Sequence, residues 1–336
     1  MFGTMMDNKP LSPSSSEPHP PLAADDAKPT ALSFSPASLP SSPPRDFFVG
    51  PDGIYALPRW LIYLAIAFGI FEMEVWLLAS LRPHLSDLSG RMMIELSMML
   101  AAILPGFVMA RIENRPFGDF GLPARRAFGR NFWVGTLWGI VSLSILMLAL
   151  RGAGVFEFGA LELHGASIWK FALYYAVLFL LTAFFEDFLM RGYSQWVLSR
   201  GMNFWPAAAL LSFAFGYIHA GNPGEAKTGL VAAGLIGFFL CLTLRRTGDL
   251  WWAIGFHMAW DWGESFLYSV PDSGQVLPGH LLNSSLHGPD WLTGGSVGPE
   301  GSYLVFVVIG ALWLLFDRAY PEVKYGANQA RTLPSS

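Results

Sequence analysis

What most constrains this chain is a series of apolar runs, each close to the length of a bilayer span, separated by short polar breaks from Trp60 onward. A helix needs about 20 apolar residues to cross the hydrocarbon core. Eight stretches are candidates: residues 60–80, 94–110, 132–150, 168–199, 204–220, 228–244, 250–270 and 302–317. The second and fifth are short and the fourth is long. The runs are continuous rather than alternating, which excludes a closed β-barrel. Composition agrees: 14% of residues are charged, against about 25% in a soluble domain. A lipid-facing surface requires that deficit, because ionised groups in hydrocarbon are costly. The expectation is an all-α, polytopic membrane bundle of about eight transmembrane helices.

The first 50 residues differ. Runs such as SPSSSEPHPPL and SFSPASLPSSPP are rich in Pro and Ser, and such a segment buries too little apolar surface to offset its chain entropy. The chain therefore divides into a disordered tail (1–50), a membrane-embedded domain (55–320) and a C-terminal tail (321–336). No short basic segment leads into an apolar stretch at the start, so no cleaved signal peptide is expected. With the N-terminus in the cytoplasm, 16 of the 21 Lys and Arg fall on cytoplasmic segments, and the long 271–301 loop carries none. This positive-inside bias puts both termini in the cytoplasm. The tail and the two-Arg loops read as bacterial, hence a plasma-membrane protein. The net charge of −4 implies no basic surface for nucleic acid. The single cysteine, Cys241, can form neither an internal disulfide nor a thiolate metal site.

Three short patterns stand out in the second half: Glu186-Asp187-Phe-Leu-Met-Arg191-Gly192, Phe215-Gly-Tyr-Ile-His219 and His257-Met-Ala-Trp-Asp261. Residues four apart share a helix face. Asp187 is thus expected beside Arg191, Phe215 beside His219, and His257 beside Asp261. At about 1.5 Å per residue, Glu186 and His219 each lie about 20 Å in, from Ser199 and Pro206 respectively, and His257 and Asp261 about 12 and 18 Å in from Asp249. These depths are similar although the helices run in opposite directions. A carboxylate at such depth must face the bundle interior and find partners. Held away from bulk water, a carboxylate is a stronger base, which suits Glu186 to general-base work, with a neutral histidine holding the same water. A second histidine, with an acid on the next turn, could meet the oxygen of a carbonyl under attack. Arg191 would balance the acidic pair.

In this order, on successive late helices, the patterns resemble the CAAX-processing and bacteriocin-processing (CPBP, or Abi) family of membrane proteases. Its motifs are Glu-Glu-x-x-x-Arg, Phe-x-x-x-His and His-x-x-x-Asn/Asp. The flanking FLMRGY and RRTGDLWWAIGFHMAWD are similar too, and the resemblance covers about residues 168–265. It implies an eight-helix intramembrane fold and an endopeptidase acting on a membrane-associated protein or peptide, with membrane lipid as the other partner. It implies that Glu186 activates water with His219 while His257 and Asp261 stabilise the oxyanion. Asp187 stands where the family usually has a second Glu. An ionised Asp261 cannot donate to an oxyanion, so it would be protonated or would orient His257.

Blander readings exist for each residue. A buried acid–Arg pair can be structural, and a lone histidine on an apolar helix more often packs than reacts. Glu72, Glu74 and Glu95 have no histidine near them in sequence and are read as paired inside the bundle or close to a helix end. Glu264 shares a face with His257, but it is not counted in the site. The chain lacks the HExxH zinc signature. Glu186, His219 and His257 would form the ligand set if zinc were used, although a metal-free mechanism suits the same residues. The competing functions are a proton-coupled transporter, since intramembrane acids and histidines also build proton relays, and a catalytically silent scaffold. No internal repeat supports a transporter.

Overall fold

The computed structural model describes residues 49–50, 53–81, 86–222 and 224–326. Apart from Val49 and Gly50, the N-terminal tail lies outside these residues, as do the last ten of the C-terminal tail. The described chain is an all-α membrane bundle. Its helices are α1 (Ala56–Leu81), α2 (Asp87–Ile112), α3 (Arg130–Gly152), α4 (Ala166–Asp187), α5 (Ser194–Met202), α6 (Phe204–Ile218), α7 (Lys227–Thr247), α8 (Trp251–Trp262), the short α9 (Asp290–Thr293) and α10 (Tyr303–Ala319). A π-helical turn, Phe188–Tyr193, joins α4 to α5, and another, Gly263–Tyr268, extends α8.

Among the described residues, five helical stretches are long and apolar enough to cross a membrane: Ala56–Ala79, Asp87–Ile112, Arg130–Gly152, Ala166–Met202 and Lys227–Thr247. The other three expected spans correspond to α6, α8 with its π turn, and α10, which are shorter. Large apolar side chains cover the outside. Trp76, Trp169 and Phe213 are each more than 70% exposed, as a lipid-facing surface allows.

Apolar burial drives little association between helices already in lipid, so close packing and hydrogen bonds must hold the bundle together. The α3–α8 pair shows how. A Cβ on Gly135 would collide with the carbonyl oxygen of Trp252, one on Gly139 with that of Phe256, and one on Gly255 with that of Phe132. The two backbones touch through a Gly-x-x-x-Gly stripe on α3. Gly216 on α6 makes the same approach to α7, where the Leu230 carbonyl and Gly234 occupy the space a Cβ would need. Helix α8, which bears His257, and α6, which leads directly into His219, are thus each seated backbone to backbone on a neighbour.

The entry to α8 is equally determined. Gly248 closes α7 with φ +85°, a conformation in which a side chain is strained. The carboxylate of the fully buried Asp249 accepts from Asn131 Nδ2 (3.0 Å), from Arg126 (3.1 Å) and from the backbone N–H of Trp251 (3.2 Å). A negative charge thus sits on the first turn of α8, where the helix dipole favours it. The long connection after α8 is pinned by the antiparallel pair Phe156–Glu157 with Ser285–Leu286, and by Tyr175, whose hydroxyl donates to the Pro278 carbonyl at 2.8 Å. At the end of α7, Arg246 pairs with Asp317, and the backbone N–H groups of Lys324 and Tyr325 donate to the Arg245 carbonyl.

Candidate active site

The three patterns converge. Glu186, His219, His257 and Asp261 all line one cavity of about 460 Å³. Much of the remaining lining is apolar, with residues such as Leu178, Phe179, Leu240, Phe256 and Ile309.

Glu186 and Asp187 end α4 immediately before the π turn. Such turns are frequent at functional sites, and here the chain kinks at Gly192, whose backbone is non-helical. Asp187 is fully buried, and its Oδ1 accepts from Arg191 at 2.5 Å. The Arg191 guanidinium also donates from Nε to the Gly237 carbonyl (3.2 Å) and stacks 4.6 Å over the Phe215 ring. The expected pairing along the helix is therefore present, and Arg191 ties α4 to both α6 and α7. The second carboxylate oxygen of Asp187 faces across to α8 and accepts from His257 Nδ1 at 3.3 Å. On the other side of that ring, Nε2 lies 3.5 Å from Glu186 Oε2 and 3.4 Å from Asp261 Oδ2. Every partner of His257 is a carboxylate, so both of its nitrogens serve as donors.

His219 is built the opposite way. Its Nδ1 lies 2.8 Å from the Phe215 carbonyl, which can only accept. Nδ1 must carry the proton, and a neutral ring then offers Nε2 as an acceptor. The Phe215 ring meets the His219 ring edge-on, with centroids 4.7 Å apart. Among the described residues, His219 makes no ion-pair contact with a carboxylate. Glu186 touches His257 directly, together with Asp187 and Asp261, whereas the family resemblance has it activate water with His219.

Two further features were not legible as site residues. Glu95, from α2, lines the same cavity and accepts from Thr182 Oγ1 at 2.9 Å. Its chain distance from the motifs hid it. Glu264, Asp272 and Glu300 bring carboxylate oxygens within 4.8 Å of one another, and Asp272 and Glu300 open onto the cavity. Glu264 was visible on the His257 face of its helix, but the two partners come from separate segments. Burial, with Asp261 and Glu300 nearby, pushes the Asp272 carboxyl well above the usual carboxylate range. Among the described residues this trio is the group of three acids or histidines close enough to share one metal ion. Glu186, His219 and His257 line one cavity but do not gather in that way.

Residues 168–263 match the family model of type II CAAX prenyl endopeptidases, Rce1-like. The matched stretch is less than a third of the chain and contains all three motifs. No curated protein and no solved structure matches the chain. With the apolar helices around that stretch, the chain is a multi-pass integral membrane protein whose residues 168–263 are similar to the CAAX-type intramembrane proteases.

Proposed function

We propose that the chain is an intramembrane endopeptidase that hydrolyses a peptide bond in a membrane-associated protein or peptide. One observation carries this reading. A carboxylate (Glu186), an acceptor histidine (His219) and a donor histidine (His257) share one half-apolar cavity.

The chemistry needs both kinds of histidine. A water accepted by Glu186 and His219 has its protons engaged and its lone pair free for the carbonyl carbon. As the carbon–oxygen bond forms, Glu186 takes the water's proton and the carbonyl oxygen becomes an anion. His257 Nε2–H is the donor for that charge, and a donor fixed in place before the reaction is what lowers the barrier. Collapse breaks the carbon–nitrogen bond, and the proton on Glu186 passes to the leaving amine. Asp187 and Asp261 touch the ring rather than the substrate. They are positioning residues, and in this role Asp261 has no need to be protonated. The family's name adds the substrate class: a prenylated C-terminal peptide, whose lipid suits the apolar lining.

The test is cleavage of a farnesylated CAAX peptide by full-length protein in detergent micelles, wild type against Glu186→Ala, His219→Ala and His257→Ala. Activity that is equal in all four would end the peptidase reading. Retention of full activity after metal stripping would exclude a catalytic zinc.

A further inference from the structure

A second acidic constellation lies one helical turn beyond the first. Glu264 sits in the π turn that extends α8, Asp272 in the loop after it, and Glu300 just ahead of α10. Three carboxylates meet there, and no Lys or Arg forms an ion pair with any of them among the described residues. The connecting segment 271–301 contains neither residue type.

Two of the acids are partly provided for. Ser265 Oγ donates to Asp272 Oδ2 at 3.1 Å, and the backbone N–H and hydroxyl of Ser273 donate to Glu300 Oε2 at 3.2 and 2.6 Å. Each keeps a second oxygen. Glu264 is different: it is fully buried, and neither of its oxygens has a hydrogen-bond partner of good geometry, with the indole N–H of the adjacent Trp260 included. A buried carboxylate without partners is costly, and this one is aimed at two other acids. Oxygens within 4.8 Å of one another are what a cation with metal–oxygen bonds of about 2.4 Å can bridge. An all-oxygen set selects a hard divalent ion over zinc.

We propose that Glu264, Asp272 and Glu300 form a site for a hard divalent cation of the calcium type. The ion would staple the loop after α8 and the approach to α10 onto the floor of the cavity. This proposal does not depend on the peptidase reading, since the trio is separate from Glu186, His219 and His257.

The experiment uses full-length protein in detergent, stripped with EDTA and titrated with CaCl2 or MgCl2. Stoichiometry is read by calorimetry and melting by tryptophan fluorescence. The expected result is one ion per chain and a higher melting temperature. Affinity should fall about tenfold or more in Glu264→Gln and again in Glu300→Gln, which lies nearer the surface and tolerates change. Glu157→Gln, on an exposed strand, should bind like wild type. If neither ion binds wild type, or if both trio variants bind as well as wild type, the site does not exist and the acids are held by shared protons instead.

Discussion

Two acidic clusters lie within one helical turn of each other and solve the same problem differently. Around Asp187, three carboxylates surround the ring of His257 and an arginine lies 2.5 Å from Asp187. Around Glu264, three carboxylates face one another, and among the described residues no Lys or Arg pairs with any of them. Burial penalises charge in both places. In the first, the protein supplies its own counter-charge and thereby aims a histidine. In the second it supplies ligands and leaves the counter-charge to come from outside. The difference teaches that an acid's place in an apolar bundle does not reveal its job. What faces it does.

The comparison makes its strongest claim about chemistry at the paired cluster. Glu186→Ala should reduce peptide cleavage by about 10²–10⁴-fold, the range for loss of a general base, with the melting temperature little changed. A variant within a few-fold of wild type would show that Glu186 is not the base. Next in size is Arg191→Met, which strands the buried carboxylate of Asp187. It should lower unfolding free energy by about 3–5 kcal/mol, and adding Asp187→Asn should restore much of that. Chemical denaturation in micelles measures both, and an absence of rescue would mean that Arg191 acts through packing on Phe215 rather than through charge.

The seam that holds α8 in place comes next. Gly139→Ile should cost about 1–3 kcal/mol by overpacking, and should also lower cleavage, because α8 carries His257. Stability lost with full activity retained would uncouple the seam from the site. The sign reverses at the unpaired cluster. In EDTA, Glu264→Gln should leave the protein as stable as wild type or stabilise it by about 1 kcal/mol, since it removes a buried acid that has no hydrogen-bond partner. Destabilisation there comparable to Arg191→Met would erase the contrast between the two clusters.

The smallest effect concerns Glu225, in the loop before α7, whose carboxyl is raised by burial. A raised acid binds its proton more tightly folded than unfolded. Its contribution therefore falls as pH rises above about 4.3, the ordinary glutamate value. Glu225→Gln should flatten the stability–pH slope from there upward. An unchanged slope would mean that solvent relaxes the loop.

The membrane bundle, the Asp187–Arg191 and His257–Asp261 pairs and the family resemblance were all legible before any coordinates, because each is local. Apolar length reports a span, and a four-residue spacing places two side chains on one face whatever the helix packs against. The partner of Asp187 across the bundle was not legible. Its place as the shorter acid in the first motif left its role open, whereas the fold has it join Arg191 to His257. Nor was the role of His219 as an acceptor, which depends on the hydrogen bond its ring makes to the Phe215 carbonyl. Glu95 and the Glu264 trio escaped for the same reason: their members are far apart in the chain. Periodicity along one helix is a property of the backbone and can be read from a string of residues. Which helices meet, at what height and with which faces inward, depends on glycine seams and loop anchors that act between distant segments, and the chemistry of this cavity rests on those contacts.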